Sequence, residues 1–175
     1  MALSLMPCPY FVFNPIKGTI TMKKRIITIA AILMTTISFA THAEELSLET
    51  YLSGFDYKAR KEMKINSESL VSGLEQGLIQ LIDIRFKEET AAWRMGFGSH
   101  IPLNELPYRL DELDKDKIIV TACPHKDRAI LAMAYLRTKG YQSKYLVDGL
   151  LGLAEFLRGD TARDVMEILK ENQGG

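Results

Sequence analysis

Cysteine and histidine are scarce in this sequence, and acidic residues are missing from its first quarter. Among 175 residues there are two cysteines, Cys8 and Cys123, and three histidines. So low a thiol count excludes a disulfide-stapled scaffold. Beyond residue 43 only Cys123, His100 and His125 remain, too few donors for a four-ligand structural zinc site. Net charge is zero, and 22 acidic against 18 basic residues beyond residue 43 argue against nucleic-acid binding, which needs a concentrated basic face. There are no repeats or low-complexity tracts, and the length suits one ordinary domain rather than two with a cleft between them. With 47% hydrophobic and 25% charged residues, the composition is that of a folded chain.

The missing acid divides the sequence in two. Residues 1–43 carry Lys17, Lys23, Lys24 and Arg25 and no Asp or Glu, so the rest holds 18 basic against 22 acidic residues. From Met22 a basic cluster leads into an uncharged apolar run, Ile26 to Ala40, and then into Thr41, His42 and Ala43. This is the three-part plan of a secretory signal peptide, with cleavage expected after Ala43. The run of 15 residues is short beside the roughly 20 of a membrane span, which disfavours an uncleaved anchor. Residues 1–21 precede the basic cluster and read as upstream of the true start at Met22. Cys8 leaves with this leader, and an exported, periplasmic or secreted body of 132 residues retains one thiol, Cys123.

In that body, residues 44–66 read as an N-terminal extension, with a short helix from Ser47 to Leu52 ended by Gly54 and an aromatic pair at Phe55 and Tyr57. Residues 67–159 form the domain proper, and residues 160–175 a C-terminal helix and tail. Ser67 is expected to cap a helix with Leu70, Val71 and Leu74 on one face. Leu78 to Ile84 is a nearly continuous apolar run, the signature of a strand buried on both faces. A helical stretch spans Glu88 to Trp93, and Leu103, Leu106, Leu110 and Leu113 recur at amphipathic-helix spacing. Ile118 to Ala122 is a second strand, Ala129 to Lys139 a helix capped by Gly140, and Lys144 to Val147 a third strand. Thr161 with Asp164 opens the last helix in a capping-box pattern. Strands alternating with helices give an α/β fold with a mostly parallel sheet, in which ligands bind at the carboxyl ends of strands.

Cys123 stands at such an end. The segment IIVTA-CPHKDR-AILAMAYLRTKG reads strand, tight loop, helix. Loop amides, the helix N-terminus and the charges of Lys126 and Arg128 all favour a thiolate and a negatively charged terminal sulfur. Arg128 can fork onto an oxyanion. The plain alternative is a small apolar residue ending a buried strand.

Four stretches in order resemble the rhodanese family: LIDIR (81–85), HIP (100–102), CPHKDR (123–128) and YLVDGLLGLAEF (145–156). The resemblance implies a rhodanese-like, five-stranded parallel sheet flanked by helices. It also implies a sulfurtransferase cycle with Cys123 as catalytic nucleophile. Pro124, His125, Lys126, Asp127 and Arg128 would then form the substrate-binding loop, with Asp83, Arg85 and His100 as structural support. Sulfur passes from a small donor such as thiosulfate or a persulfide, through a Cys123 persulfide, to a thiol, cyanide-like or protein acceptor. No metal or organic cofactor is implied, nor a membrane partner after signal cleavage.

In this superfamily a six-residue loop, as from Cys123 to Arg128, goes with sulfur transfer, whereas the related phosphatases have seven. Two departures stand out. Lys126 replaces the usual loop glycine, at a cost of about 1 kcal/mol if that position needs positive φ, and Ala129 replaces a serine. The alternative is a rhodanese fold that only carries sulfur or serves as an interaction module. His125 reads as a base, a substrate-orienting group or loop packing. Trp93 and Phe97 either shelter the site entrance or fill core.

Overall fold

The computed structural model describes residues 45–173. The leader, its cleavage point and Cys8 lie outside them.

Short helices α1 (Leu48–Ser53) and α2 (Tyr57–Glu62) precede β1 (Lys64–Ile65) and α3 (Ser67–Glu75). Then follow β2 (Ile79–Asp83), α4 (Lys87–Ala92), β3 (Ser99–His100), β4 (Ile118–Ala122), α5 (Asp127–Thr138), β5 (Ser143–Leu146), α6 (Gly149–Phe156) and α7 (Asp160–Gln173). The five strands form one parallel sheet in the order β1-β5-β4-β2-β3. The mixed α/β architecture is the one expected, with every pairing parallel rather than most of them.

The apolar runs are strands because both faces of the sheet are covered. On one face Ile82, Ile84, Ile119 and Cys123 pack with Met133 and Leu136 of α5. On the other, Leu81, Val120 and Ala122 pack with Leu70 of α3, Leu150 and Leu153 of α6 and Val165 of α7. Each fully buried Leu or Ile contributes about 1.5–3 kcal/mol, so the central strands β4 and β2 carry much of the stability of the core.

Several local expectations are corrected. The leucines from 103 to 113 do not lie on one helix. Pro107 interrupts the pattern, and the segment folds as two 3₁₀ turns, Leu106–Tyr108 and Leu110–Glu112, that still bury Leu106 and Leu113. The cap of α3 is Asn66, whose Oδ1 accepts from Ser69 N at 3.0 Å, while Ser67 turns to Asp148. The last helix starts at Asp160, which places Thr161 inside it. The aromatic partner of Phe55 is Tyr51, at 6.2 Å and edge-on, and Tyr57 is exposed.

Residues 45–65 are tied to the sheet and to α5. Leu46 N donates to Thr138 O, Glu45 pairs with Lys139 at 2.8 Å, and β1 registers Lys64 and Ile65 against Tyr145 and Leu146. The segment read as an extension therefore supplies the fifth strand. Two-residue strands such as β1 and β3 leave no periodic signal in sequence.

Candidate active site

The loop after β4 is built by three fixed supports. Thr121 Oγ1 donates to Ala129 O at 2.8 Å, which ties the strand end to the first turn of α5. Leu150 N donates to Cys123 O at 2.8 Å and Leu151 N to Pro124 O at 3.3 Å, so the start of α6 holds the back of the loop. Gly149, at φ +64°, makes that approach feasible. A Cβ there would lie 2.3 Å from both Pro124 O and His125 O, so sterics and backbone angle alike require glycine. Asp148 in turn accepts from Ser67 N at 2.7 Å and Ser67 Oγ at 2.8 Å, which anchors α6 to α3.

With its carbonyls turned toward α6, the loop presents its amides on the other side, since N–H and C=O point oppositely across a trans peptide. Among the described residues the backbone N–H groups of His125 and Lys126 have no acceptor. The N-cap of α5 is Lys126, which cannot accept as a Ser or Asp would, so that helix end is also left uncapped at the site. Two successive unpaired amides leading into a 12-residue helix make an anion nest.

Cys123 itself is fully buried, and its Sγ donates to Asp127 Oδ1 at 3.7 Å. His125, Lys126 and Asp127 are exposed, and Lys126 makes no ion pair among the described residues. Its φ of −153° is negative, so the strain that a lysine in place of glycine would carry at positive φ does not arise.

Arg128 is not open to an incoming oxyanion. Its Nη1 donates to Glu89 Oε2 at 2.6 Å and its Nη2 to Glu89 Oε1 at 2.8 Å, a two-pronged pair across 39 residues of sequence. Glu89 Oε2 also accepts from Phe86 N at 3.0 Å, and the Phe86 ring lies 5.6 Å from the guanidinium carbon. The Arg128 hydrogen bonds come first among the causes that hold the Glu89 carboxyl down to about 2. Glu89 is a site residue that no motif in the sequence marks. Its one signal was an acid in the first turn of the helix after LIDIR, facing that helix's own start.

The supporting residues gather beside this. Arg85 is fully buried. Its Nε donates to both Asp83 oxygens at 2.9 Å, and its Nη2 to Asp83 at 2.5 Å and to Trp93 O at 3.0 Å. The Trp93 ring covers the guanidinium at 3.9 Å. His100 Nε2 donates to Arg85 O at 2.9 Å, which fixes the tautomer. Asp83, Arg85 and His100 are thus linked to one another, and among the described residues none makes a hydrogen bond to the Cys123 side chain, which bonds Asp127. Trp93 is neither buried core nor a cover over Cys123, since it caps Arg85, whereas half-buried Phe97 packs with the α3–α6–α7 core. A cleft of about 370 Å³ opens at the ends of β2 and β3, lined by Asp83, Arg94, Phe97, His100 and Leu150. No residue from 123 to 128 lines it.

A cysteine at the strand end, an amide nest and a glycine-braced loop together match one known pattern. The sequence model of the rhodanese-like domain matches residues 66–155, half of the chain. The chain belongs to the rhodanese-like family. A sulfurtransferase of Allochromatium vinosum is 34% identical over 79 residues, covering 45% of this chain and 74% of that protein. The reduced CoADR-RHD of Bacillus anthracis is 30% identical with a TM-score of 0.50, covering 54% of this chain and 17% of that one. The BH2092 protein of Bacillus halodurans, 23% identical with a TM-score of 0.51, covers 61% and 80% and shares the fold. In rhodanese terms, the match begins beside β1 and ends in α6, so it takes in the Cys123 loop, Asp83, Arg85, Glu89 and Gly149.

Proposed function

We propose that the protein is a rhodanese-family sulfurtransferase acting through Cys123, in a periplasmic or secreted setting after removal of residues 1–43. The observation that carries this reading is the amide nest. His125 and Lys126 offer unpaired N–H groups beside the uncapped start of α5, where a negatively charged sulfur above Cys123 would be held.

The first half-reaction is a displacement at sulfur. The Cys123 thiolate attacks the sulfane sulfur of a donor such as thiosulfate, a new S–S bond forms, and the old one breaks with its electron pair leaving on sulfite. Cys123 is then a persulfide. In the second half an acceptor nucleophile, a thiolate or cyanide, bonds to the outer sulfur and Cys123 departs as thiolate. In each half the sulfur moves as a zero-valent atom, the broken bond's electron pair stays with the leaving group, and no external oxidant is needed. Lys126 and the loop amides compensate the charge of the outer sulfur, while Pro124, His125 and Asp127 shape the nest. Asp83, Arg85 and His100 hold the neighbouring strand ends.

Steady-state transfer from thiosulfate to cyanide, read as thiocyanate, tests this. Turnover lost in Cys123→Ala is the expected result. Persulfide formation without turnover would assign the chain a carrier role, and neither would refute the reading.

A further inference from the structure

Arg128 is the loop's only guanidinium, and Glu89 already occupies its fork. The pair is bidentate, with Arg128 about one-quarter and Glu89 one-third exposed, so it stands at the rim of the site rather than in the core. Glu89 is held by Phe86 N as well, so it does not swing freely away. Its carboxyl stays ionised across any working pH. A second carboxylate, Asp127, stands at the sulfur itself. The charges around Cys123 therefore cancel, with Lys126 and Arg128 set against Asp127 and Glu89.

An oxyanion donor approaching Cys123 must take the Arg128 fork from Glu89 or do without it, and must pass Asp127. A donor whose sulfane sulfur is bound to a carbon-borne sulfur has no such demand. We propose that Glu89 is a specificity-determining residue: it competes with the donor's oxyanion for Arg128 and so turns the site from thiosulfate-type donors toward organic persulfides. This deepens the sulfurtransferase reading and rests on it. With an organic persulfide RSSH, the Cys123 thiolate takes the outer sulfur and RS⁻ leaves, so atoms and charge balance as before.

Two readouts test it. In a Cys123→Ala background, which cannot transfer sulfur, thiosulfate binding measured by calorimetry should tighten about tenfold on adding Glu89→Gln, the scale of one charge-assisted hydrogen bond. With Cys123 intact, the ratio of loading rates from thiosulfate and from cysteine persulfide should rise by a similar factor in Glu89→Gln. A smaller rise is expected in Glu89→Asp, which keeps the charge and shortens the reach. A ratio cancels any loss of folded protein. Unchanged thiosulfate binding and an unchanged ratio beside normal loading would overturn the filter alone. No loading from either donor would overturn it together with the reading beneath it.

Discussion

Two arginines near the carboxyl end of the sheet are each forked onto a carboxylate, yet they do different work. Asp83 ends β2 and Arg85 lies two residues beyond it, with the guanidinium wholly buried under Trp93. Arg128 and Glu89 are 39 residues apart, join α4 to the start of α5, and are partly open to water. In the first pair neither partner can change without stranding a charge in low dielectric. The second stands partly in water, so it is weak as a fastener and suits the role proposed for Glu89, which keeps the Arg128 fork from a donor's oxyanion. Burial, not the chemistry of the pair, separates scaffold from site.

The comparison breaks most visibly at Arg85. Arg85→Met should destabilise the protein by about 3–5 kcal/mol in chemical denaturation, because Asp83 loses its buried partner. A loss near 1 kcal/mol would place Arg85 among replaceable pairs. Gly149→Ala should follow, since the added Cβ collides with two loop carbonyls at a φ that disfavours it. A loss of about 1–3 kcal/mol and a misplaced Cys123 loop, seen as weakened persulfide formation, are expected.

Glu89→Gln should cost about 1 kcal/mol or less, as partly exposed pairs do, while shifting donor preference. The acid limb of stability sharpens this. Glu89 is depressed in the fold to about 2 from an unfolded value near 4.3, so its contribution is complete above the unfolded value. It fades as pH falls from there through the folded value. Denaturation midpoints of wild type and Glu89→Gln should therefore converge between roughly pH 4 and pH 2. Parallel curves would mean that Arg128 does not hold Glu89. The smallest effect is expected at Lys126→Gly. With φ at −153° the lysine avoids the left-handed region that would favour glycine, so glycine should lower stability by a few tenths of a kcal/mol rather than raise it.

The central strands and the cysteine loop were legible because burial on both faces leaves an unbroken apolar run, and IIVTA ahead of CPHKDR is such a run. Strands β1 and β3 were not, since two residues pair through backbone alone and carry no period. Leucine spacing misled at residues 103–113, where Pro107 removes a backbone donor and the leucines reach the core from 3₁₀ turns. Cys123, Lys126 and Arg128 follow one another at the β4–α5 junction, as their spacing dictates. Glu89 stayed hidden because its partner lies across the fold, and the count of charges within the loop made the site look basic when its neighbour neutralises it.

The central claim, that Cys123 accepts sulfur in the nest above β4, is tested most directly by peptide-level mass spectrometry of the full chain after exposure to a sulfane donor. The account predicts a gain of one sulfur on the peptide holding Cys123, none on that holding Cys8, and its removal by cyanide. A Cys123 peptide of unchanged mass after exposure to both thiosulfate and an organic persulfide would contradict it.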